Sequence, residues 1–244
     1  MYYRSSHSYL SCGLMLKTYE QKIGSFTVLT LVTGPFRENC YLVCHEEGET
    51  VLIDPGDEPS EIAKVIDDRG GRLDGLLLTH AHFDHIGAVA TLCEKYLVSC
   101  QVHNADARLM RRAPFYAIRF VKQKFEVPKT VEYFSGNDLL KFGSLEFKVV
   151  NTPGHTQGSS SLYIEGAVFT GDTLFHKHIG PTNYPESEPV KLIESIDQLL
   201  SELPATTIIF PGHGKPWTVG EATNWWTAMR TSAPTYHIGQ EISQ

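Results

Sequence analysis

Leu76–Ala88, "LLLTHAHFDHIGA", runs an apolar stretch straight into three histidines and an aspartate within six positions, His80, His82, Asp84 and His85. In extended chain a period of two turns His80 and His82 to the same side. Asp84 and His85 follow where the next helix is expected to begin, so the four side chains can face one small volume from two directions. Such a cluster is costly unless something organises it. His and Asp together suit divalent transition metals, zinc first and iron or manganese close behind.

The same arrangement recurs along the chain. Five apolar strands end in an acid or a histidine inside a Gly-containing turn or a His/Asp cluster: "TVLIDPGD", "LLLTHAHFDH", "FKVVNTPGHT", "AVFTGDT" and "TIIFPGHG". Strand ends along one edge of a scaffold are where chemistry is usually mounted, and glycine lets the backbone turn sharply there. The candidates are His80, His82, Asp84, His85, His155, Asp172 and His213. A tetrahedral zinc takes about four ligands. Two ions sharing one carboxylate would use all seven, and Asp172 is the natural bridge, because its anionic form is favoured between two cations and it offers one oxygen to each. Two ions about 3.5–4 Å apart can also hold a bridging water and lower its pKa towards neutrality.

Composition sets the frame. The chain has 244 residues, 41% of them hydrophobic, and a formal net charge of -7, which suits a sizeable core and disfavours nucleic acid or an anionic membrane as partner. No run reaches the roughly 18 apolar residues of a membrane span. The five cysteines, Cys12, Cys40, Cys44, Cys93 and Cys100, show no metal-like CxxC spacing and read as reduced thiols of a cytoplasmic protein. Residues 1–16 read as an N-terminal extension, with an organellar transit peptide as the other reading, and residues 17–244 as a single domain. Short strands dominate the start, helices are expected near 59–69, 87–97 and 188–203, and 104–128 reads as helix broken by Pro114 and Pro128. The last segment, "GEATNWWTAMR", reads as a short helix.

"THAHFDH", "TPGHT", "TGDT" and "PGHG", with "IDPG" upstream, resemble the ordered motifs of the metallo-β-lactamase superfamily, over roughly Phe26 to Glu221. The resemblance implies a four-layer αββα sandwich with the site at one edge of two sheets. It implies a first metal site of His80, His82 and His155, a second of Asp84, His85 and His213, and Asp172 bridging them. Asp54 of "IDPG" would position the ligand loop without binding metal. An aspartate at position 172 argues for the branch typified by glyoxalase II and its short bacterial relatives.

The chain departs from glyoxalase II in the loop after "GDTLF". Pro181 and Asn183 stand where that enzyme grips glutathione with Lys and Tyr, Lys215 stands where a Tyr follows the last histidine, and the helical C-terminal domain is missing. His176, Lys177, His178, Asn183 and Lys215 are the candidate substrate contacts. His7, His45, His103 and His237 take ordinary roles, and Trp217, Trp225 and Trp226 are expected to pack the last helix onto the sandwich.

The leading expectation is a binuclear metal-dependent hydrolase of a small-molecule thioester, working through a metal-bridging hydroxide with Asp84 and Asp172 as catalytic carboxylates. A mononuclear iron persulfide dioxygenase and a lactone or β-lactam hydrolase are the alternatives.

Overall fold

Alternation along each strand decides the architecture. In a computed structural model that describes residues 16–232, Leu29 and Leu31, Cys40 and Leu42, Leu52, Leu76 and Leu78 face one side of a sheet. Their neighbours Val28, Tyr41, Val43, Val51, Ile53 and Leu77 face the other. Both sides are apolar, so this sheet must be covered on both faces. The second sheet does the same, with Val149, Phe169, Ile208 and Phe210 on one side and Val150, Val168 and Ile209 on the other.

The first sheet has seven strands in sequential order: β1 Lys17–Ile23, β2 Phe26–Thr33, β3 Glu38–His45, β4 Thr50–Ile53, β5 Gly75–Leu77, β6 Cys100–His103 and β7 Val131–Phe134. Strands β1–β4 pair antiparallel and β4–β7 pair parallel. The second sheet comprises β8 Leu139–Phe142, β9 Leu145–Asn151, β10 Ser160–Ile164, β11 Ala167–Gly171, β14 Ile208–Pro211 and β15 Trp217–Thr218, in the order β15-β14-β11-β10-β9-β8. A hairpin of β12 Leu174–Phe175 and β13 His178–Ile179 stands apart from both.

Helices cover the two outer faces. Helix α1 Pro59–Asp68, the short α2 Phe83–Ile86, α3 Val89–Tyr96 and α4 Ala107–Phe120 bury Ile62, Ile66, Ile86, Val89, Leu92, Leu109 and Met110 against the first sheet. Helices α5 Pro189–Glu202 and α6 Val219–Ser232 bury Leu192, Ile196, Leu199 and Trp226 against the second. The result is the expected αββα sandwich. The three tryptophans pack as expected: Trp217 of β15 and Trp226 of α6 are buried in the core that joins helix to sheet, and Trp225 of α6 packs against it.

Two expectations need correction. Helix α4 runs through Pro114 without ending. Leu109, Met110, Ala113 and Ala117 form a continuous buried stripe on either side of it, and that burial outweighs the roughly 3 kcal/mol a helical proline costs. Pro128 breaks nothing, since the helix has ended at Phe120 and residues 121–130 carry no regular element. The C-terminal helix has 14 residues and is not short. Of the extension expected over residues 1–16, only Leu16 lies within the described residues, packed against the first helical layer. Cys40, Cys44, Cys93 and Cys100 are free thiols, and among the described residues no helix is long and apolar enough to cross a membrane.

Between the sheets Phe169 stacks on Phe210 at 5.2 Å and meets Tyr41 at 5.1 Å. It is fully buried, three residues before Asp172. Phe169→Ala is expected to lower stability by about 3–5 kcal/mol in urea unfolding. A loss under about 1 kcal/mol would mean the inter-sheet layer does not carry the fold.

Candidate metal centre

Strand direction brings the candidates together. Asp54 follows β4, His80 follows β5, His155 follows β9, Asp172 follows β11 and His213 follows β14. Within each sheet these strands run the same way, so their C-terminal ends share one rim. The two rims are stitched to each other. The Asn39 side chain donates to the carbonyls of Pro211 and Gly214, both at 2.9 Å, Tyr41 Oη donates to Pro211 O, and Ser160 N donates to Thr79 O at 2.9 Å.

At this rim His80, His82 and His155 present ring nitrogens that all lie within 4.8 Å of one another, and Asp84, His85 and His213 form a second such set. Asp172 lies between them. Its Oδ2 is 3.4 Å from His155 Nε2, while its Oδ1 is 3.3 Å from His85 Nε2 and 3.7 Å from His213 Nε2. Asp84 Oδ2 is 3.5 Å from His213 Nε2. All seven candidates converge.

Each imidazole is held by its other nitrogen. His85 Nδ1 is 3.1 Å from Asp54 Oδ2, His155 Nδ1 is 2.7 Å from Pro181 O, and His213 Nδ1 is 3.2 Å from Phe36 O. His80 Nδ1 is 3.1 Å from Thr79 Oγ1, a hydroxyl whose own proton goes to Asp54 Oδ2. His82 is turned over: Nδ1 faces His155, and Nε2 is 2.8 Å from Glu186 Oε1. An acceptor on one ring nitrogen takes the N–H and leaves a lone pair on the other. The remaining nitrogen of each of the five rings is thereby turned towards one space, where it can bind a cation once any proton on it is lost. His80 Nε2, His85 Nε2 and Asp172 Oδ1 are buried with no well-aligned hydrogen-bond partner in the protein. Buried polar atoms of that kind want a ligand, and the donor set fits divalent cations.

Asp54 also lies close to His80 and His85. Its oxygens are already engaged by Thr79 N–H at 2.8 Å, by Thr79 Oγ1 and by His85, so it orients the loop. Close packing leaves no room for change at Gly212, where a Cβ would stand 2.3 Å from Asp172 Oδ1 and 2.8 Å from His85 Cε1.

Burial opposes charge throughout the site, and the carboxylates decide where it survives. Burial and neighbouring histidines push His80 well down and His155 down to about 4. At His85 burial also acts against the proton, but Asp172, Asp54 and Asp84 outweigh it and raise the pKa well above the ordinary value. Burial would raise Asp172, yet His213, His85 and His155 hold it well below the usual carboxylate range. The carboxylates therefore demand positive charge between them, and a cation taking that place displaces a proton.

Other groups that organise the site escaped the sequence reading. Buried Asp106 accepts from Ala81 N at 3.0 Å, Thr156 Oγ1 at 2.8 Å and Gly158 N at 2.8 Å, tying the His82 loop to the His155 loop. Asp106 follows β6 as an acid near a strand end, a signal of the same type as the others but with no glycine beside it. Glu38 is buried under His85, with Thr33 Oγ1 donating to it at 2.6 Å, and burial raises its pKa well above the ordinary value. Glu186 and Tyr184, whose ring lies 5.0 Å from that of His82, sit in a loop with no distinguishing pattern.

The candidate substrate contacts are more dispersed. His176 packs on Trp217 at 5.0 Å. Lys177 is the exposed turn of the β12–β13 hairpin, with φ 57°. His178 stacks on Phe175, which in turn meets His213 edge-on at 5.6 Å. Asn183 and Lys215 are exposed.

Comparison with known proteins bears on this rim. The family model described as "Metallo-beta-lactamase superfamily" matches residues 33–213. Hydroxyacylglutathione hydrolase GloC of Haemophilus influenzae is 33% identical over 190 residues, 76% of this chain and 90% of that protein. The crystal structure of TTHA1623 in a di-iron-bound form is 38% identical, with a TM-score of 0.73 over 80% of this chain and 96% of that one. The crystal structure of the BLEG-1 B3 metallo-beta-lactamase is 30% identical, with a TM-score of 0.75 over 80% and 95%.

Glu186→Gln removes the carboxylate that holds His82 and leaves the fold's packing alone. Affinity for a cation at the His80, His82 and His155 set is expected to fall about 10-fold or more in a chelator competition, with the urea midpoint unchanged. Wild-type affinity in this variant would show that His82 is held by other means.

Proposed function

The chain belongs to the metallo-beta-lactamase superfamily, and from that premise we propose that it is a binuclear metal-dependent hydrolase of thioesters. The observation that carries the reading is Asp172, whose two oxygens face different ligand sets. His80, His82 and His155 would hold one cation and Asp84, His85 and His213 the other, with Asp172 shared. Zinc suits these ligands best. Iron is the next choice, since a 38% identical protein is known in a di-iron-bound form. Bound divalent cations supply Lewis acidity and lower the pKa of water towards neutrality.

The chain's own residues do the rest. Asp54, Thr79, Pro181 O, Phe36 O and Glu186 fix the five imidazole orientations. Asp84 stays ionised: burial would raise its pKa, but the contact with His213 and the charge of His85 lower it. It can orient a nucleophilic water beside the site. A thiolate leaves readily, so no strong general acid is needed. The thioester assignment is supported by the 33% identity to a hydroxyacylglutathione hydrolase over nearly that protein's whole length. Hydrolysis of a β-lactam is the second reading, favoured by the 30% identity to a B3 enzyme. A mononuclear iron dioxygenase would use the upstream histidines, the later histidine and Asp172 for one iron, so metal counting with oxygen uptake separates it from the hydrolase.

Metal counting and hydrolysis assays test this together. The metal-replete protein is expected to carry two ions per chain and to cleave S-D-lactoylglutathione or another thioester faster than a lactone or a β-lactam. Asp172→Ala is expected to lose at least one ion and about 10²-fold or more in rate. Two tightly held ions in that variant would refute the shared carboxylate. Cleavage of the β-lactam alone would move the assignment to the second reading.

A further inference from the structure

A cavity of about 900 Å³ opens beside Asp84, between helix α3, the turn at 34–36 and the irregular segment 121–130. Phe36, Phe83, Phe125 and Val127 line it, and Ala90 of α3 forms part of its wall. It is continuous with the metal centre through named groups. Phe83 directly precedes Asp84, and the Phe36 carbonyl is the acceptor that holds His213. The Phe36 and Phe83 rings meet edge-on at 5.6 Å, and Phe83 stacks on Phe120 at 6.0 Å. Phe36 is left 48% exposed, an apolar face turned towards the entrance. Segment 121–130 is tied down by Gln123 Nε2 donating to Asp57 Oδ2 at 3.1 Å, and by Phe125 and Val127 packing against the first helical layer.

We propose that this cavity receives an apolar acyl chain, so that the chain acts on thioesters of medium to long acyl groups. The inference rests on the thioesterase reading above. The size lies at the upper end of small-molecule pockets, far beyond what a two- or three-carbon acyl group fills. Acids outnumber lysines along its wall, Asp57, Asp84, Glu94 and Glu126 against Lys124 and Lys129, and Lys129 is paired with Glu94 at 3.6 Å, so nothing there attracts an anion. Biological thiol handles carry carboxylates or phosphates, which the acids of this wall repel, so the half of a thioester that suits the Phe36, Phe83, Phe125 and Val127 surface is the acyl half. The reaction is hydrolysis: water adds to the carbonyl carbon, the C–S bond breaks, and a carboxylic acid and a thiol leave.

The test uses the metal-loaded full-length protein and S-acyl-N-acetylcysteamine thioesters from acetyl to dodecanoyl. From butanoyl to octanoyl, kcat/KM is expected to rise by up to about fourfold per methylene, the factor equivalent to ~0.8 kcal/mol per buried CH₂. Ala90→Trp, which fills the cavity, should cut the octanoyl value at least tenfold and leave the acetyl value within twofold. Val127→Trp, from the opposite wall, should do the same if the first variant fails to fold. A flat profile across chain lengths, with acetyl cleaved, overturns the acyl cavity and leaves the thioesterase reading standing. So does a profile that steepens with alkyl length on the thiol side instead. Failure to cleave any thioester sinks the thioesterase reading. The cavity is then judged by titrating the uncleavable thioether S-octyl-N-acetylcysteamine: binding lost in Ala90→Trp supports it, and no binding overturns it.

Discussion

Asp172 is 7% exposed, and three imidazole nitrogens lie within 3.7 Å of its oxygens. A carboxylate so placed has left water and must be answered by positive charge. Histidines alone answer it poorly. Burial and mutual repulsion push His80 and His155 towards neutrality, while His85 is left to carry a proton among three aspartates. Divalent cations between the two sets would resolve that conflict, because the same nitrogens would bind as neutral donors and both carboxylate oxygens would find partners. Much of the rim is explained by this need.

A metal site of this kind is only as good as the groups behind it. Every candidate histidine has its outward nitrogen assigned, and the assigning groups come from strand ends and a turn of the first sheet and from the loop at 180–188. Asp54 serves His85 directly and His80 through Thr79. Asp106 holds two ligand loops by their backbone and by Thr156. Asn39 and Tyr41 lock the β14 turn, which carries His213, to the first sheet. The layered core beneath supplies rigidity: the inter-sheet aromatics Tyr41, Phe169 and Phe210 sit directly under the strand ends that carry these turns. Precision at the site is thus a property of the whole sandwich edge.

The candidate ligands were legible because their signal is local. A strand's apolar alternation, a glycine turn and an acid or histidine fall within a few residues, five times over, and each of the seven side chains sits at the rim the pattern implies. The layers followed from the family resemblance; the β-rich segments by themselves announced strands and not how they stack. What stayed hidden depends on partners distant in sequence. Glu186 lies 104 residues from His82, and its neighbours Pro185 and Ser187 look like ordinary loop. Glu38 is an acid within a strand, and only the fold shows it buried beneath His85. Pro114 misled because the local cost of a helical proline is fixed, whereas the burial that offsets it is set by the sheet below. Strand β1, "KTYEQKI", is too polar to announce itself and forms through pairing with β2.

X-ray absorption at the metal edge of the loaded protein tests the central claim most directly. Two ions sharing Asp172 predict a shell of nitrogen and oxygen neighbours that includes imidazole, and a metal–metal scattering path at about 3.5–4 Å. A spectrum with no metal–metal path in protein carrying two ions per chain would contradict the shared carboxylate, and with it the account of why this rim is built as it is.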